Sequence, residues 1–350
     1  SGRAMSRIVG CGVQTLFVSG GSEILVDTLA AQLQRRGHEV DVVNLPYTDV
    51  PRTQILTTFL AWRNLNLERI HGNRVDLVIG TKFPSYAVHH RNKVVWLVHQ
   101  HRQAYELFGT PWSDMHRMPD GRLFAWLVRR LDRWSLGESR RLFSISGNTA
   151  ARLRRYNRLD AQPLYPPPKL AARLRCDSYG DFVLGVGRFE PIKRFDLILK
   201  ALRHTDPALK CVLAGDGLHR SHLERLADDP ALKGRVVFAG RVSDDDLVDL
   251  YARCLGVVYP PFEEDYGYVT VEAFLARKPV VTTDDAGGVL EFLEDGVNGF
   301  IGPPTAEGLG AALNRLWEHR RSAQDLGQCG FDRVKGISWD LVIDRLTETL

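Results

Sequence analysis

The sequence predicts an α/β protein that contains two doubly wound parallel sheets. Short, nearly continuous apolar segments alternate with helical segments along the 350 residues, which is typical of parallel strands covered by helices on both faces. The pattern restarts after Tyr165-Pro166-Pro167-Pro168, a stiff connector that can neither extend a helix nor complete a ladder of hydrogen bonds. We therefore expect an N-terminal domain at 1–166, a C-terminal domain at 167–336, and a closing helix at 337–350 that packs back on the N-terminal domain.

The first half begins with a strand–helix–strand unit. The largely apolar segment Arg7–Cys11 predicts the first strand. Leu25, Leu29 and Leu33 share one face of a helix over Glu23–Arg36, and Gly37 is a typical helix stop. Further strands are predicted at Val40–Val43, Val75–Ile79, Val94–Val98 and Leu142–Ser146.

The second half repeats the alternation with clearer boundaries. Strands are predicted at Phe182–Val186, Cys211–Ala214, Val236–Ala239, Leu255–Tyr259, Val280–Thr283 and Gly299–Ile301. Helices are predicted at Lys193–Arg203, Asp244–Cys254, Tyr268–Arg277 and Trp339–Leu350. Ser243 precedes three aspartates as an N-cap would, because acidic residues in the first turn are favoured by the helix dipole. We therefore interpret these aspartates as capping chemistry and not as a metal site.

Composition limits the classes of function. The five cysteines are scattered without a C-x-x-C pair, which argues against a zinc site or a disulfide framework and favours a reducing, cytoplasmic compartment. No apolar run approaches the ~20 residues of a transmembrane helix.

Positive charge is concentrated in one segment. Residues Arg122 to Arg158 include ten arginines against Asp132 and Glu138, so this stretch carries +8 and the rest of the chain −4. A solvated helix face is the common reason for such a run. The alternative is contact with an anionic partner, either a phosphorylated acceptor or an anionic membrane. In the second case the protein would be peripheral at the inner face of the membrane.

In doubly wound sheets, ligands bind beyond the carboxyl ends of the strands, so the segments that follow the strands of the second half are candidate binding loops. After the first strand, Gly187 is followed by the cations Arg188 and Lys193 at a helix start, an arrangement suited to a diphosphate. After the second and third strands come the tight turn Ala214-Gly215-Asp216-Gly217 and the segment Gly240-Arg241-Val242. Each of these signals is weak alone.

The segment after the fourth strand is the most informative. Glu264 lies in a loop that passes through Gly267 to a helix start near Tyr268, and Glu272 follows Glu264 by eight residues. Carboxylates accept hydrogen bonds from vicinal hydroxyls, as the acidic residue does on ribose in dinucleotide-binding folds. Two glutamates at this position predict a site for a hydroxyl-rich ligand.

At these motifs the chain resembles glycosyltransferase family 4, retaining enzymes of the GT-B fold in which two Rossmann-like domains face each other across a cleft. The resemblance covers nearly the whole chain and is sparse between about residues 52 and 140. It is carried by Gly187-Arg188 with Lys193, Ala214-Gly215-Asp216-Gly217, the pair Glu264 and Glu272, Pro279-Val280-Val281, Gly287-Gly288 with Glu291, Asp295-Gly296-Val297-Asn298-Gly299, Gly20-Gly21-Ser22-Glu23 and Arg36-Gly37-His38-Glu39-Val40.

The resemblance implies roles for particular residues. Arg188 and Lys193 would hold the donor diphosphate, Glu272 the ribose, and Glu264 the donor sugar, although the neighbouring Glu263 and Asp265 are acidic too. His99 would contact the donor sugar, with His101 as a rival. Further donor contacts would come from Gly20, Gly21, Gly187, Gly215, Gly217, Arg241, Val242, Asp265, Tyr266, Gly267, Tyr268 and Val269.

The resemblance implies transfer of a hexosyl group from a nucleotide diphosphate sugar, UDP favoured over GDP, to a glycan, a lipid-linked or a small-molecule acceptor. The two cations would stabilise the leaving diphosphate, so no cofactor and no metal are expected. Nucleic acid is not an expected partner. A non-hydrolysing sugar-nucleotide epimerase and a non-catalytic nucleotide-sugar binding protein are the alternatives. A dehydrogenase is disfavoured because no G-x-G-x-x-G follows the first strand.

Overall fold

The computed structural model describes residues 5–14, 21–48 and 50–350. The chain divides into two compact units, one formed by Ser1–Pro166 with Ser338–Leu350 and the other by Pro167–Ile337. The first unit therefore contains both the N-terminal half and the last segment of the chain.

The first unit is built around a parallel sheet. Its strands are β1 (Arg7–Gln14), β2 (Glu39–Pro46), β3 (Arg69–Ile70), β4 (Asn73–Arg74), β5 (Leu77–Gly80), β6 (Lys93–Leu97), β7 (Arg141–Ser144) and β8 (Gln162–Pro163). Its helices are α1 (Gly21–Arg35), α2 (Thr53–Asn64), α3 (Gly121–Gly137) and α4 (Gly147–Asn157). Among the described residues, the sheet has the order β2-β1-β5-β6-β7-β8, while β3 and β4 form a small antiparallel hairpin.

The second unit contains a sheet with the order β11-β10-β9-β12-β13-β14, and every strand pair in it is parallel. Its strands are β9 (Phe182–Val186), β10 (Lys210–Ala214), β11 (Val236–Gly240), β12 (Gly256–Val258), β13 (Val280–Thr283) and β14 (Gly299–Gly302). Its helices are α5 (Phe195–Leu202), α6 (Arg220–Ala227), α7 (Asp244–Arg253), α8 (Tyr268–Leu275), α9 (Ala306–Glu318) and α10 (Ala323–Val334). The strand order is that of a dinucleotide-binding sheet, with its topological switch point between β9 and β12.

The last helix, α11 (Trp339–Leu346), belongs to the first unit. Arg36 donates hydrogen bonds to Asp344 at 3.1 Å and to Asp340, and the ring of Trp339 packs edge-on against Trp96 of β6. These contacts hold α11 against the sheet of that unit.

The predicted pattern of parallel strands and covering helices is confirmed. Leu25, Leu29 and Leu33 are buried together on α1, and Ser243 caps α7 by accepting from the backbone N–H of Asp246 at 3.1 Å. One predicted helix begins later than expected. Pro191–Lys193 forms a 3-10 turn and Arg194 has a left-handed φ of 52°, so α5 starts only at Phe195.

Candidate active site

The loops that follow β9 and β12 are adjacent at the switch point of the second sheet. The β9 loop contains Lys193, and the β12 loop contains Glu264. The N–H of Phe262 donates to the carbonyl of Ile192 at 2.9 Å, which ties the two loops together. A crevice opens at such a point because the connections from the two neighbouring strands run in opposite directions.

Lys193, Glu264 and Tyr259 form one hydrogen-bonded group. The ammonium of Lys193 is ion-paired with Oε2 of Glu264 and lies 3.2 Å from the hydroxyl of Tyr259. The Tyr259 hydroxyl also donates to Glu264 Oε2 at 2.9 Å. Both charged side chains are mostly buried, with 17% and 16% of their surface exposed. The group thus presents a cation and a carboxylate side by side in a partly desolvated position.

Backbone hydrogen bonds join the loops after β9, β10 and β11. Gly187 donates to Ala214 at 3.1 Å, Phe189 donates to Asp216 at 2.9 Å, and Gly215 donates to the carbonyl of Gly240 at 2.8 Å. Gly215 has a φ of 147°, and a Cβ on it would lie 1.9 Å from the carbonyl oxygen of Gly187. Only glycine permits this approach, so the motif Ala214-Gly215-Asp216-Gly217 serves to bring backbones together.

The Glu264 loop is fixed by the loop after β13. The Glu264 N–H donates to the Ala286 carbonyl at 3.1 Å, and the Gly288 N–H donates to the Glu264 carbonyl at 2.7 Å. Gly287 has a φ of 64°, and a Cβ there would lie 2.7 Å from the backbone of Glu263. Gly267, with a φ of 80°, then turns the chain into α8. The carboxylate of Glu264 is therefore held by a rigid backbone.

Arg194 is a residue that the sequence analysis missed. Its guanidinium donates to the Pro260 and Pro261 carbonyls at 2.7 Å each, to Thr283 Oγ1 at 2.8 Å, and to both carboxylate oxygens of Asp285. It thereby ties together the loops after β9, β12 and β13. Two adjacent cations, Lys193 and Arg194, thus have different surroundings: one is grouped with Glu264 and Tyr259, and the other holds the loops in place.

Glu272, one turn inside α8, is the second predicted carboxylate. Its Oε2 accepts a hydrogen bond from Tyr251 of α7 at 2.8 Å. Burial raises the pKa of Glu272 to about 7, and the charge of Asp244 raises it further, while the Tyr251 hydrogen bond opposes the shift. Glu264 lies in the loop between β12 and α8 and Glu272 lies in α8 itself, and the two carboxylates have different partners.

The other predicted donor contacts differ in exposure. Arg188 is exposed and lies 3.1 Å from Glu190, and Arg241 is exposed with its Nε 3.6 Å from Asp216. The ring of Tyr266 is buried in an aromatic cluster with Tyr268 and Phe292, so only its backbone is open to a ligand role. The remaining predicted contacts lie in or beside the same loops: Gly217, Val242, Asp265, Gly267 and Val269.

In the first unit, Gly20 lies outside the described residues, and Gly21 begins α1. An ion pair that was not predicted lies at the switch point between β1 and β5: Lys82, after β5, donates to Glu23 of α1 at 2.6 Å. His99 is half-buried, with Nδ1 2.8 Å from the Gln100 carbonyl. His101 is buried, with Nδ1 3.0 Å from the Tyr47 hydroxyl.

A buried polar network lies next to His99. Tyr105 donates to Asp132 of α3 at 2.6 Å, Asn157 donates to the Tyr105 hydroxyl at 3.1 Å, and Gln100 donates to Asn157 at 3.1 Å. Burial raises the pKa of Asp132 to about 7, against the lowering effect of the hydrogen bond from Tyr105. The interior of this unit thus contains a carboxyl with an affinity for protons like that of Glu272.

The described part of the chain contains neither a cluster of metal ligands nor a membrane-spanning helix. Within residues 5–14, 21–48 and 50–350, no group of three or more histidines, cysteines and acidic residues is arranged to hold a metal ion. In the same ranges no helix is both long and apolar enough to cross a bilayer.

Curated relatives match about half of the chain. An uncharacterized glycosyltransferase of Methanocaldococcus jannaschii is 33% identical over 167 residues, which are 45% of this chain and 41% of the relative. A D-inositol 3-phosphate glycosyltransferase of Frankia alni is 33% identical over 189 residues, or 49% of this chain and 46% of the relative. The matched part thus spans less than half the length of these relatives.

Solved structures match over nearly the full length. Sucrose-phosphate synthase of Thermosynechococcus elongatus has a TM-score of 0.75 at 19% identity, covering 98% of both chains. HepE of Anabaena, in complex with UDP and glucose, has a TM-score of 0.69 at 18% identity, covering 97% of this chain and 98% of that one. These similarities show the fold, and the predicted GT-B architecture is confirmed.

Family models account for both units. The model for glycosyl transferases group 1 matches residues 171–333, and the model for Glycosyltransferase Family 4 matches residues 19–165. The resemblance seen in the motifs is thereby confirmed. The chain belongs to glycosyltransferase family 4.

Proposed function

We propose that the protein is a retaining glycosyltransferase that moves a hexosyl group from a UDP-sugar to a hydroxyl of an acceptor. The observation that carries this proposal is the Lys193–Glu264 pair at the switch point between β9 and β12. Ligands of doubly wound sheets bind at that point. A cation beside a carboxylate matches a donor whose anionic diphosphate is joined directly to a hydroxyl-rich sugar.

Lys193 and Arg188 are proposed to bind the donor diphosphate. The Lys193 ammonium is partly buried, so its attraction for an anion is less screened than that of a surface lysine. Arg188 is exposed and paired with Glu190, a surface contact that contributes little and is readily exchanged for phosphate. Fixed positive charge at the leaving diphosphate would then be the main source of rate enhancement.

Glu264 is proposed to bind hydroxyls of the donor sugar, and Glu272 those of the ribose. The Glu264 backbone is fixed by the Ala286 and Gly288 hydrogen bonds, so its carboxylate is held in place before a ligand arrives. Glu272 sits eight residues along the chain on α8, close to the N-terminal end of that helix. The two carboxylates have different hydrogen-bond partners, Tyr259 and Tyr251, and we assign them to different ends of the nucleotide sugar.

UDP is the proposed nucleotide, and GDP is the alternative. HepE was solved with UDP and with UDP-glucose, and TarM of S. aureus was solved with UDP. These proteins share the fold of this chain, which supports the choice. The acceptor is proposed to be a glycan, a lipid-linked molecule or a small molecule, reached in part through contact with an anionic membrane. The roles of His99, Gly20 and Gly21 stay predictions.

Incubation of the protein with a panel of UDP- and GDP-sugars, with and without acceptors, tests the proposal. We expect release of UDP that depends on an acceptor, and a product with the anomeric configuration of the donor by NMR. Conversion of the sugar nucleotide without any acceptor would instead identify an epimerase. Binding without turnover under all conditions would indicate a non-catalytic binding protein.

Variants identify the site that performs the reaction. Lys193→Met and Glu264→Gln should each lower kcat/KM by about 100-fold or more, because each removes a charge aimed at the reacting part of the donor. Lys210→Met and Glu294→Gln are the matched controls, since they break exposed ion pairs with Asp181 and Arg333 elsewhere in the same unit. Equal activity of the site variants and the controls would contradict the assignment.

Metal independence is part of the proposal because two cationic side chains are assigned to the diphosphate. Activity should persist in excess chelator. Loss of activity in chelator that Mn²⁺ restores would overturn this part while leaving the donor site in place.

A further inference from the structure

Helix α3 (Gly121–Gly137) has two faces of very different chemistry. Its inner face is buried and consists of Ala125, Val128, Asp132, Ser135 and Leu136. Its outer face follows the same helical spacing and includes the exposed Leu123, Trp126, Arg130, Arg133 and Trp134. A solvated helix face does not ordinarily expose large apolar side chains beside arginines, as this outer face does.

The exposed apolar residues of α3 are large. Leu123 is 67% exposed, Trp126 55% and Trp134 47%. The protein has seven tryptophans, all within the described residues, and these two are the exposed ones. Exposed tryptophan in a stripe with leucine is typical of surfaces that enter the boundary between water and lipid headgroups.

The charge on this outer face is entirely positive. The one acidic residue of α3, Asp132, points inward and is fully buried. In the described ranges, Arg122, Arg130 and Arg133 have no carboxylate within ion-pair distance, while the Arg130 guanidinium lies 5.7 Å from the centre of the Trp126 ring. Unpaired arginines are free to exchange water for phosphate.

The acidic residues that flank α3 are already neutralised. Asp120 is paired with Arg52 at 2.7 Å, and Glu138 is paired with Arg63 at 2.6 Å. Arg63 also stacks 4.0 Å from the centre of the Trp134 ring, which extends the positive, aromatic surface toward α2. Negative charge therefore does not oppose the approach of an anionic surface at either end of the helix.

The structure also reduces the number of arginines in the basic segment Arg122–Arg158 that are candidates for contact with an anionic partner. Of its ten arginines, Arg152 is buried and ion-paired with Glu106 at 2.8 Å, and Arg129 is partly buried against the rings of Tyr105, Phe108 and Tyr156. These two support the interior. The arginines that lie beside exposed apolar residues are those of the outer face of α3.

We propose that the outer face of α3 docks on an anionic lipid bilayer. Trp126, Trp134 and Leu123 would enter the headgroup layer, while Arg122, Arg130 and Arg133 bind lipid phosphates. This inference deepens the proposed function, because it places the first unit at a surface where lipid-linked acceptors occur. Docking itself does not require transfer, so the two proposals fail separately.

Sedimentation of the full chain with lipid vesicles tests the docking. We expect binding to vesicles of phosphatidylcholine mixed with phosphatidylglycerol, weaker binding at high salt, and little binding to phosphatidylcholine alone. Arg130→Gln with Arg133→Gln should weaken binding by about 30-fold, at ~1 kcal/mol for each arginine near an anionic surface. Leu123→Ser with Trp126→Ser should weaken it by about tenfold or more, through the loss of apolar insertion.

Arg320→Gln with Arg321→Gln is the matched control. It removes two exposed arginines from the second unit, where Arg320 also stacks on a tryptophan, Trp317, at 4.7 Å. The control should bind vesicles like the unmodified chain, and all variants should keep the same thermal shift with UDP.

Three results would overturn the proposal. The first is that the unmodified chain does not bind the anionic vesicles. The second is that the control loses as much binding as the α3 variants. The third is that the α3 variants abolish self-association of the chain without changing vesicle binding. The last result would identify the surface as a contact between protein copies.

Discussion

The strand ends of both sheets have backbone hydrogen bonds and side-chain pairs, and the second sheet adds glycines with positive φ at or after the ends of β9, β10, β11 and β13. In the second unit, backbone hydrogen bonds between Gly187, Ala214, Gly215 and Gly240 join neighbouring loops, and glycines with unusual φ angles allow the approach. In the first unit, the described contacts at the strand ends include side-chain pairs such as Lys82 with Glu23.

The difference explains what each unit reveals in its sequence. A site shaped by backbone needs glycine at fixed positions, and glycine can be seen in a sequence. A site shaped by side-chain pairs depends on residues far apart in the chain, such as Lys82 and Glu23, which are 59 positions apart. The second unit therefore has more recognisable motifs than the first.

The largest expected effect is at Gly215. Gly215→Ala places a Cβ against the Gly187 carbonyl, so the free energy of unfolding should fall by about 3 kcal/mol and UDP binding should be lost. Gly37→Ala in the first unit is the control, because Gly37 also has a left-handed φ, of 85°, but open space around it. Its cost should be about 1–2 kcal/mol, from backbone strain alone.

Chemical denaturation with UDP titration of both variants measures this difference. Equal destabilisation by the two substitutions would show that the close approach of the loops is unimportant, and the contrast between the units would then lose its main support.

The next effect concerns Glu272 and pH. Its pKa of about 7 means that the carboxylate, which accepts hydrogen bonds from ribose hydroxyls best, is lost as the pH falls through 7. The affinity of the unmodified chain for UDP should therefore increase as the pH rises across this range. This increase should be up to about tenfold larger than the increase measured for Glu272→Gln. Titration of UDP itself is common to both proteins and cancels. Calorimetry measures the UDP affinity of both proteins as a function of pH. The same pH dependence in both proteins would contradict the assignment of Glu272 to the ribose.

Asp132 provides the counterpart in the first unit and has the smallest expected effect on UDP binding. Its pKa of about 7 in the folded state is above the usual value, so the folded state binds a proton that the unfolded state has already released. The contribution of Asp132 to the free energy of unfolding should therefore decrease as pH rises from about 4 to about 7, so the unfolding free energy of Asp132→Asn should fall less, or rise more, with pH than that of the unmodified chain. UDP affinity should keep its pH dependence in Asp132→Asn, which distinguishes this carboxyl from Glu272.

Much of the fold could be predicted because its signals are local. The apolar face of α1, the Ser243 cap of α7 and the strand ends of β9 and β13 follow from residues that are neighbours in the sequence. The start of α5 could not be placed, since it depends on a left-handed φ at Arg194 that a non-glycine residue rarely adopts.

The site was predicted only in part for a related reason. The sequence indicated cations after β9, but it could not show that Arg194 would turn toward the Asp285 carboxylate while Lys193 turns toward Glu264. Side-chain direction there depends on contacts 71 and 91 positions away. The pairing of Lys193 with Glu264 is a tertiary contact and cannot be predicted from a sequence motif.

A crystal structure of the chain with UDP tests the central claim most directly. We predict that the diphosphate lies at the β9–β12 switch point within hydrogen-bond distance of the Lys193 ammonium, with the ribose hydroxyls at the Glu272 carboxylate. UDP bound away from both residues, or bound with its ribose at Glu264, would contradict the account.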